Sequence, residues 1–324
     1  MTSPTVPATV TVIVPGRDVA AYAAEALESL RAQTFPAWCA ILVDDGSTDA
    51  TTAIFQDAAA ADPRFRLIRH DRSRGLGAAR NAALDRVETP LVAFLDADDV
   101  LTPTALDVLV GSLTASGSDF AVGAYVRLRP DAGGGYAAGL VQPWVAASTS
   151  PARQGTTLAE HPEASGNIVA WSKVSRIEFW RRHGLRFPEG RAYEDQLVAQ
   201  QMYTGARAFD VVPDVVVLWR ERADGSSITQ HKDSLSVLTD YLGAMRAGIA
   251  VLDAAGQRAA ARARVRLILD MDVPPLVEIA RTHPEEAYRR TLGAFVRELD
   301  ARAAEESVTL AAASADLRAA ALLW

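Results

Sequence analysis

The 324-residue chain has a single cysteine, Cys39. That excludes a disulfide framework and any zinc site made of cysteine pairs, and a buried, unreactive thiol is expected. No run of about 18 consecutive apolar residues occurs, the length a membrane-spanning helix needs. The opening MTSPTVPATVTVIVPG has no basic start leading into a long apolar stretch. No signal peptide is therefore expected, and the chain reads as cytoplasmic. Cations are the minority charge, 33 Lys and Arg against 40 Asp and Glu, for a net charge of −7. That argues against nucleic acid or an anionic membrane surface as the main partner, since either favours a basic face. The hydrophobic share of 49% and charged share of 23% exclude a disordered or fibrous chain. The length calls for one large domain with an appendage, or two domains.

The N-terminal third alternates two kinds of segment. Short β-branched or apolar runs predict strands over 10–14, 40–43, 65–69 and 91–95. Helical spacing, as at Ala23, Ala26, Leu27 and Leu30, predicts helices over 22–33, 48–61 (capped by Ser47 or Asp49) and 78–85. Such alternation implies βαβ units and a mainly parallel sheet covered on both faces. Ligands of such sheets collect beyond the strands' carboxyl ends, where the polar clusters 15–18, 44–47 and 96–99 fall. Further on, 129–139 reads as a Gly-rich turn or flexible loop and 148–166 as a polar connection. Helices are predicted over 175–183 and 194–203, and a last strand over 211–219. From about residue 233 the chain becomes Ala-, Arg- and Leu-rich helix, broken at Pro274-Pro275 and Pro284. The expected division is a catalytic domain over 1–232 and a helical domain over 233–324.

Three carboxylates crowd the strand end Phe94-Leu95-Asp96-Ala97-Asp98-Asp99. They repel one another unless something positive sits among them. A hard divalent cation shared with phosphate oxygens is a natural occupant; a solvated acidic turn capping the next helix is the alternative. Asp44-Asp45-Gly46-Ser47 is a second such turn, either a helix cap or an acceptor for a base N–H or ribose hydroxyl. Gly75 and Gly77 make a GxG, but Arg80 stands where a dinucleotide fingerprint wants a small residue. Arg80 is better suited to neutralise phosphate or pair with an aspartate. Tyr193-Glu194-Asp195-Gln196 opens a helix, with its acids either favouring the helix N-terminus or serving as general base. The polar segment 220–229, RERADGSSIT, is either a linker or a lid bringing Arg and Ser to a diphosphate.

In their order these segments resemble the bacterial family 2 glycosyltransferases, inverting enzymes of the GT-A fold. The resemblance covers residues 10–229, about two thirds of the chain. It rests on TVIVPGRDVAAYAAEALESLRAQTF, ILVDDGSTDAT, GLGAARNAAL, VAFLDADDVL, VAWSKVSRIEFWRRHGLRFPEG, YEDQLVA and RERADGSSIT. It implies an α/β GT-A domain followed by a small C-terminal helical domain. It also implies a nucleoside-diphosphate sugar donor, UDP-linked by default, and an Mn²⁺ or Mg²⁺ cofactor. Pro15 and Asp45 then line the nucleobase pocket, where Arg17 and Asp18 replace the common aromatic and asparagine; the Arg17 guanidinium can still stack on a base. Arg80 is the donor-pocket arginine, and Asp96 and Asp98 are the DXD pair, with Asp98 the direct metal ligand. Asp195 is the catalytic base, and Arg222 and Ser227 belong to a loop over the diphosphate. Ser73 and Ser172 stand where asparagines are common, which leaves dTDP and GDP donors open. With no QxxRW segment and no membrane span, a hexosyltransferase adding one sugar per encounter is expected, and not a processive synthase. The acceptor is a glycan, a lipid-linked molecule or a small molecule. For the C-terminal helices a structural bundle is expected, with acceptor recognition or homo-oligomer formation as rivals. The arginines at 258, 262, 264 and 266 read as a solvated face, or as a peripheral contact with anionic acceptor or lipid headgroups. A nucleotidyltransferase and a catalytically silent nucleotide-sugar-binding protein are the competing classes.

Overall fold

Strand β1 (Val10–Gly16) is buried along its whole length, so it needs strands on both edges and helices on both faces. The computed structural model describes residues 7–225, 227 and 231–324. In it β2 (Trp38–Asp44), β3 (Phe65–Arg69) and β4 (Leu91–Phe94) join β1 in the order β3-β2-β1-β4, all parallel. The connections carry α1 (Ala20–Arg31), α2 (Thr51–Ala61) and α3 (Leu76–Leu84). Ala23, Ala26, Leu27 and Leu30 of α1 are buried as their spacing predicts. Strand order turns back between β1 and β4, which makes the crevice past their carboxyl ends the natural ligand position.

Several boundaries shift for local reasons. β1 continues through Pro15 and Gly16, two residues past the predicted end. Proline is tolerated there because β4 stops at Phe94, opposite Ile13, so no ladder donor is wanted on that side. The Pro15 carbonyl accepts from the Ala97 N–H. α2 begins at Thr51, and Asp49 accepts from the backbone N–H groups of Thr51 and Ala20 at 2.8 and 2.9 Å. Cys39 is half-buried, its sulfur 3.4 Å from Thr11 Oγ1, and so is less enclosed than expected.

The rest of the sheet-bearing half holds β5 (Val100–Leu101), α4 (Ala105–Ser116), β6 (Phe120–Pro130), β7 (Tyr136–Ala138), α5 (Pro143–Thr149), β8 (Arg153–Thr156), β9 (Lys173–Arg176), α6 (Ile177–His183), α7 (Asp195–Gly205) and β10 (Phe209–Arg220). The sheet continues from β4 as β9-β6-β10-β5, with β7 on β6 and β8 on β10. β9 runs antiparallel to both β4 and β6, while β6 and β10 are parallel. The fold is thus the expected α/β class with a mixed, mainly parallel central sheet. Residues 175–176, read as helix from sequence, are strand because β4 pairs with both and β6 with Ser175; the helix starts at Ile177. Residues 129–139, read as a flexible loop, form the β6–β7 hairpin. Asp131 Oδ1 accepts there from the Gly133 and Gly135 N–H groups at 2.8 and 3.1 Å. Residues 148–166 contain the end of α5, all of β8 and a 3-10 turn over Pro162–Gly166.

After residue 231 only helices occur among the described residues: α8 (Leu235–Ala254), α9 (Arg258–Leu267), a π-helical turn over Ile268–Asp272, α10 (Val273–Thr282), α11 (Glu286–Glu305) and α12 (Ala315–Leu322), with a short 3-10 turn before α12. Pro284 separates α10 from α11. Pro274 and Pro275, expected to break a helix, lie in the first turn of α10. They have no N–H for the carbonyls a turn earlier, and the chain absorbs the loss in the π turn, where the Val273 N–H bonds to Ile268 O. By length and composition alone α8 could cross a membrane. Its Leu238, Leu242, Met245 and Ile249 are buried in a second core with Val265, Leu276, Phe295 and Val296. Leu317, Leu322 and Trp324 pack against this core, while Leu323 is exposed. The sheet and its helices form the first core, which Leu252, Ala260 and Ala261 of the C-terminal helices also enter.

Candidate active site

The first wall of the crevice is the turn after β2. Gly46 has φ +71, and a Cβ there would sit 2.6 Å from the Arg72 and Ser73 backbone, so only glycine lets the 70–75 loop close against it. Asp45 ties that loop down. Its carboxylate accepts from His70 Nδ1 at 2.7 Å, Ser73 Oγ at 2.8 Å, and the N–H groups of Arg74 and Gly75 at 2.9 Å. Burial pushes the carboxyl up, but these bonds outweigh it and hold Asp45 below its ordinary value. Arg17 is exposed, with its guanidinium 3.2 Å from Ser73 Oγ and 3.5 Å from Asp18. Pro15 lies on the crevice floor at the end of β1.

The centre is an ionic bridge. α3 docks closely enough on the 188 segment that a Cβ on Gly77 would lie 2.1 Å from Pro188 O. That docking carries Arg80 into the interior, 1% exposed. Its guanidinium donates to Asp96 Oδ1 at 2.6 Å and to Glu194 Oε1, and lies 5.2 Å from the Phe187 ring centroid. Asp96 leaves β4 and Glu194 opens α7, so one cation joins the acidic turn to the helix carrying Asp195. Tyr193, with φ +60, makes the bend that delivers Glu194 and Asp195.

The acidic turn has a second clamp. Arg220, also buried, donates its backbone N–H to Asp99 Oδ1 at 2.7 Å, its Nε to Asp98 O at 2.7 Å and an Nη to Glu25 at 2.6 Å. Arg222 Nε reaches Asp98 Oδ2 at 2.8 Å. Burial pushes the Asp98 carboxyl up, Arg222 pulls it down and Asp96 adds to the rise. Asp99 is pushed well up by burial and then by Asp98 and Asp96. Among the described residues, no group of three His, Cys, Asp or Glu side chains could hold a metal ion by itself. The donor chemistry still fits a hard cation that takes one or two carboxylates and completes its shell with substrate phosphate.

Burial pushes Asp195 up to about 6, against the opposing Arg80 charge, with Asp96 raising it and Lys173 lowering it. Such a carboxylate is still ionised at neutral pH and is a better base than an exposed aspartate. Glu194 is pushed up to about 7 by burial, against Arg80 and with Asp195. Lys173 lies in the cavity wall with Asp195, Phe94, Trp180 and Met202. Its ammonium donates to Asn167 O at 3.0 Å, Asn167 Oδ1 at 2.8 Å and Val169 O at 2.6 Å. Burial lowers it to about 7, opposed by Asp195.

Arg80, Asp96, Asp98, Asp195 and Arg222 therefore meet in one place, with Pro15 at its floor and Arg17 and Asp45 along one side. Ser227 is half-buried; Ser226, Ile228 and Thr229 of the expected loop lie outside the described residues. Sequence reasoning passed over Lys173, named Arg220 only within the 220–229 segment, and gave Glu194 no partner. A lone lysine among the small and apolar residues of VAWSKVS was the available signal for the first. Arg264, expected on a solvated face, is buried, 3.2 Å from Gln196 Oε1 and 3.4 Å from Asp272. Arg258, Arg262 and Arg266 are exposed as expected.

A profile described as Glycosyl transferase family 2 matches residues 11–187. Glycosyltransferase GlyA of Streptococcus pneumoniae serotype 4 is 30% identical over 196 residues, 60% of this chain and 28% of GlyA. The chain spans less than two thirds of the length of several curated relatives it matches, GlyA among them. S. aureus TarS 1-349, crystallised with UDP-GlcNAc, superposes with TM-score 0.70 at 20% identity, covering 90% of this chain and 83% of that one. The mannosyltransferase PcManGT from Pyrobaculum calidifontis, solved with GDP-Man and Mn²⁺, gives TM-score 0.53 at 22% identity, covering 94% and 88%.

Proposed function

Because the chain belongs to glycosyl transferase family 2, we propose that it moves a hexosyl group from a nucleoside-diphosphate sugar to an acceptor hydroxyl, with inversion, a divalent cation and Asp195 as general base. UDP is the default donor nucleotide. The observation that carries the reading is the Arg80 bridge. It holds the acidic turn at Asp96 and the helix start at Glu194–Asp195 on a single guanidinium, so a donor-side acid cluster and a poised carboxylate share one crevice. The UDP-GlcNAc bound by TarS and the GDP-Man and Mn²⁺ bound by PcManGT support a donor and cation of this kind.

Asp98, with Asp96 beside it, would hold the cation, which when bound supplies positive charge against the diphosphate oxygens. Arg222, paired with Asp98, adds a protein cation on the same side and opposes the charge that builds on the leaving diphosphate. Arg220 keeps the Asp98–Asp99 turn from relaxing. Asp195 accepts the proton of the acceptor hydroxyl as its oxygen forms a bond to the anomeric carbon and the bond to the diphosphate oxygen breaks. One displacement from the opposite face inverts the anomeric carbon and needs no covalent intermediate. Asp45 holds the 70–75 loop and so shapes the base side of the pocket. The direct test is incubation with a panel of UDP-, GDP- and dTDP-sugars plus Mn²⁺, reading nucleoside diphosphate release. Asp195→Asn should keep donor binding and lose transfer; undiminished transfer by that variant refutes the assignment of the base.

A further inference from the structure

Lysine is nearly absent from this chain: of its 33 basic residues only Lys173 and Lys232 are lysines. Lys173 opens β9 and is 3% exposed, in the interior behind the candidate base. An arginine there would bring a planar fork that stays charged wherever it is put. An ammonium is compact, carries three N–H donors and gives up its proton readily when buried. Burial alone therefore calls for a neutral amine at this position.

The surroundings oppose that. Three oxygens of the segment before β9 face the nitrogen: Asn167 O at 3.0 Å, Asn167 Oδ1 at 2.8 Å and Val169 O at 2.6 Å. A neutral amine has two hydrogens and would leave one oxygen unbonded, whereas an ammonium serves all three. The segment is itself fixed, because Ser172 Oγ donates to Asn167 Oδ1 at 3.0 Å and the Tyr203 hydroxyl to Asn167 O at 3.3 Å. The nitrogen also lies 5.6 Å from the Tyr203 ring centroid. None of these partners carries a negative charge. The carboxylate that does is Asp195, half-buried, on the wall of the same cavity with Phe94, Trp180, Phe187 and Met202. That cavity has a volume of about 10 Å³, so it admits at most one water and little screens the two charges from each other. Asp195 opposes the loss of the Lys173 proton, and Lys173 in turn favours the ionised Asp195. The other charges acting on Asp195 are Arg80 of α3 and Asp96 beyond β4, with Glu194 beside it in the chain. Arg80 is already bonded to Asp96 and Glu194, whereas among the described residues Lys173 has no carboxylate bonded to it.

We infer that Lys173 is a positioning residue for Asp195, a fixed ammonium behind the base that keeps its carboxylate ionised while substrates exclude water from the crevice. The inference rests on the reading of Asp195 as general base, and Lys173 acts through that carboxylate. The scarcity of lysine makes the test direct. The full chain labelled with ¹³C,¹⁵N-lysine gives two side-chain signals, and Lys232→Arg identifies them. The Lys173 signal should titrate at about 7. Asp195→Asn should lower that midpoint by about one pH unit, the low end for losing an opposite charge several ångströms away. Lys232, on which Asp272 and Arg127 act, should keep its midpoint. Because such coupling is mutual, the acid limb of sugar transfer should move up by a similar amount in both Lys173→Met and Lys173→Gln. The glutamine can still donate to the 167–169 oxygens but brings no charge. Recovery of the wild-type limb by Lys173→Gln alone would therefore reduce the role to a hydrogen bond and overturn the inference. A Lys173 midpoint that ignores Asp195→Asn, or an acid limb unmoved in both lysine variants, would also overturn it. If the lysine variants do not fold, the NMR comparison decides, since it leaves Lys173 in place. Absence of transfer from every nucleotide sugar by the wild-type protein would sink the glycosyltransferase reading itself; a shifted midpoint with an unmoved limb would sink this inference alone.

Discussion

Replacing Arg80 with methionine tests the centre of the site most directly, because that side chain holds two carboxylates at once. At 1% exposure it is the counter-charge for Glu194, itself 5% exposed, and for Asp96, whose side chain is 23% exposed. Removing one partner of a buried ion pair typically costs 3–5 kcal/mol. The partial exposure of Asp96 argues for the lower end, about 3 kcal/mol. The Arg80 charge is also the strongest influence that holds both Glu194 and Asp195 down against their burial. Without it both carboxyls rise further, and near neutral pH they take up protons. The cost should therefore be largest at about pH 8, where the orphaned carboxylates must ionise, and smaller at about pH 5.5, where they are protonated. Urea midpoints at the two pH values read the stability part. The pH profile of nucleoside diphosphate release reads the other, whose acid limb should move to higher pH in Arg80→Met. Arg80→Lys, with the charge kept and the two-pronged geometry lost, should fall between. If Arg80→Met unfolds with wild type at both pH values and leaves the limb in place, the bridge is not what holds Asp96 and Asp195 together.

Wild-type transfer should fall as the pH drops through about 6, where Asp195 becomes protonated, and Asp195→Asn should remove roughly 10²- to 10⁴-fold of the rate, the usual share of a general base. The same variant should be more heat-stable than wild type, and by a larger margin at about pH 8 than at about pH 5, because a carboxyl with a raised folded-state pKa costs stability once it ionises; a calorimetric scan checks this, and an equal margin at both pH values counts against it. Asp98→Ala should abolish the Mn²⁺-dependent part of donor binding in an isothermal titration, and undiminished binding would remove Asp98 as the ligand. Gly77→Ala should lower stability by about 1–3 kcal/mol, the usual range for overpacking, because its Cβ would lie 2.1 Å from Pro188 O; an unchanged melting temperature would mean that α3 docks less tightly than described.

Much of the parallel half was legible in one dimension. β3 was predicted at its observed bounds, and β1, β2 and β4 within two residues at each end, because strands buried on both faces leave short, continuous apolar runs. The acidic turn after β4 and the Glu-Asp start of α7 were legible for a different reason. Charges crowded at strand and helix ends are improbable without a counter-charge or a task. β9 was not legible. Lys173–Arg176 is polar at both ends, and only pairing to β4 and β6 on either edge makes it strand. The hairpin over 129–139 hid behind its glycines, which look flexible until Asp131 is seen to gather their N–H groups.

The strand–helix alternation was enough to determine an α/β fold, and the motif order carried the resemblance to family 2 glycosyltransferases, which in turn implied the proposed donor-side residues and base. The alternation itself depends on short-range patterns of apolar spacing. Pairing was decided in three dimensions. Arg80 and Glu194 are 114 residues apart, and no local pattern says that one guanidinium will serve both Asp96 and Glu194. Arg264 reads as one of several surface arginines until α9 packs into the fold and buries it against Asp272 and Gln196. The position of Asp272 depends on a π turn forced by prolines that come after it. Such contacts arise when segments distant in sequence share one low-dielectric interior, where every buried charge must find a partner, and only the tertiary structure decides which partner that is.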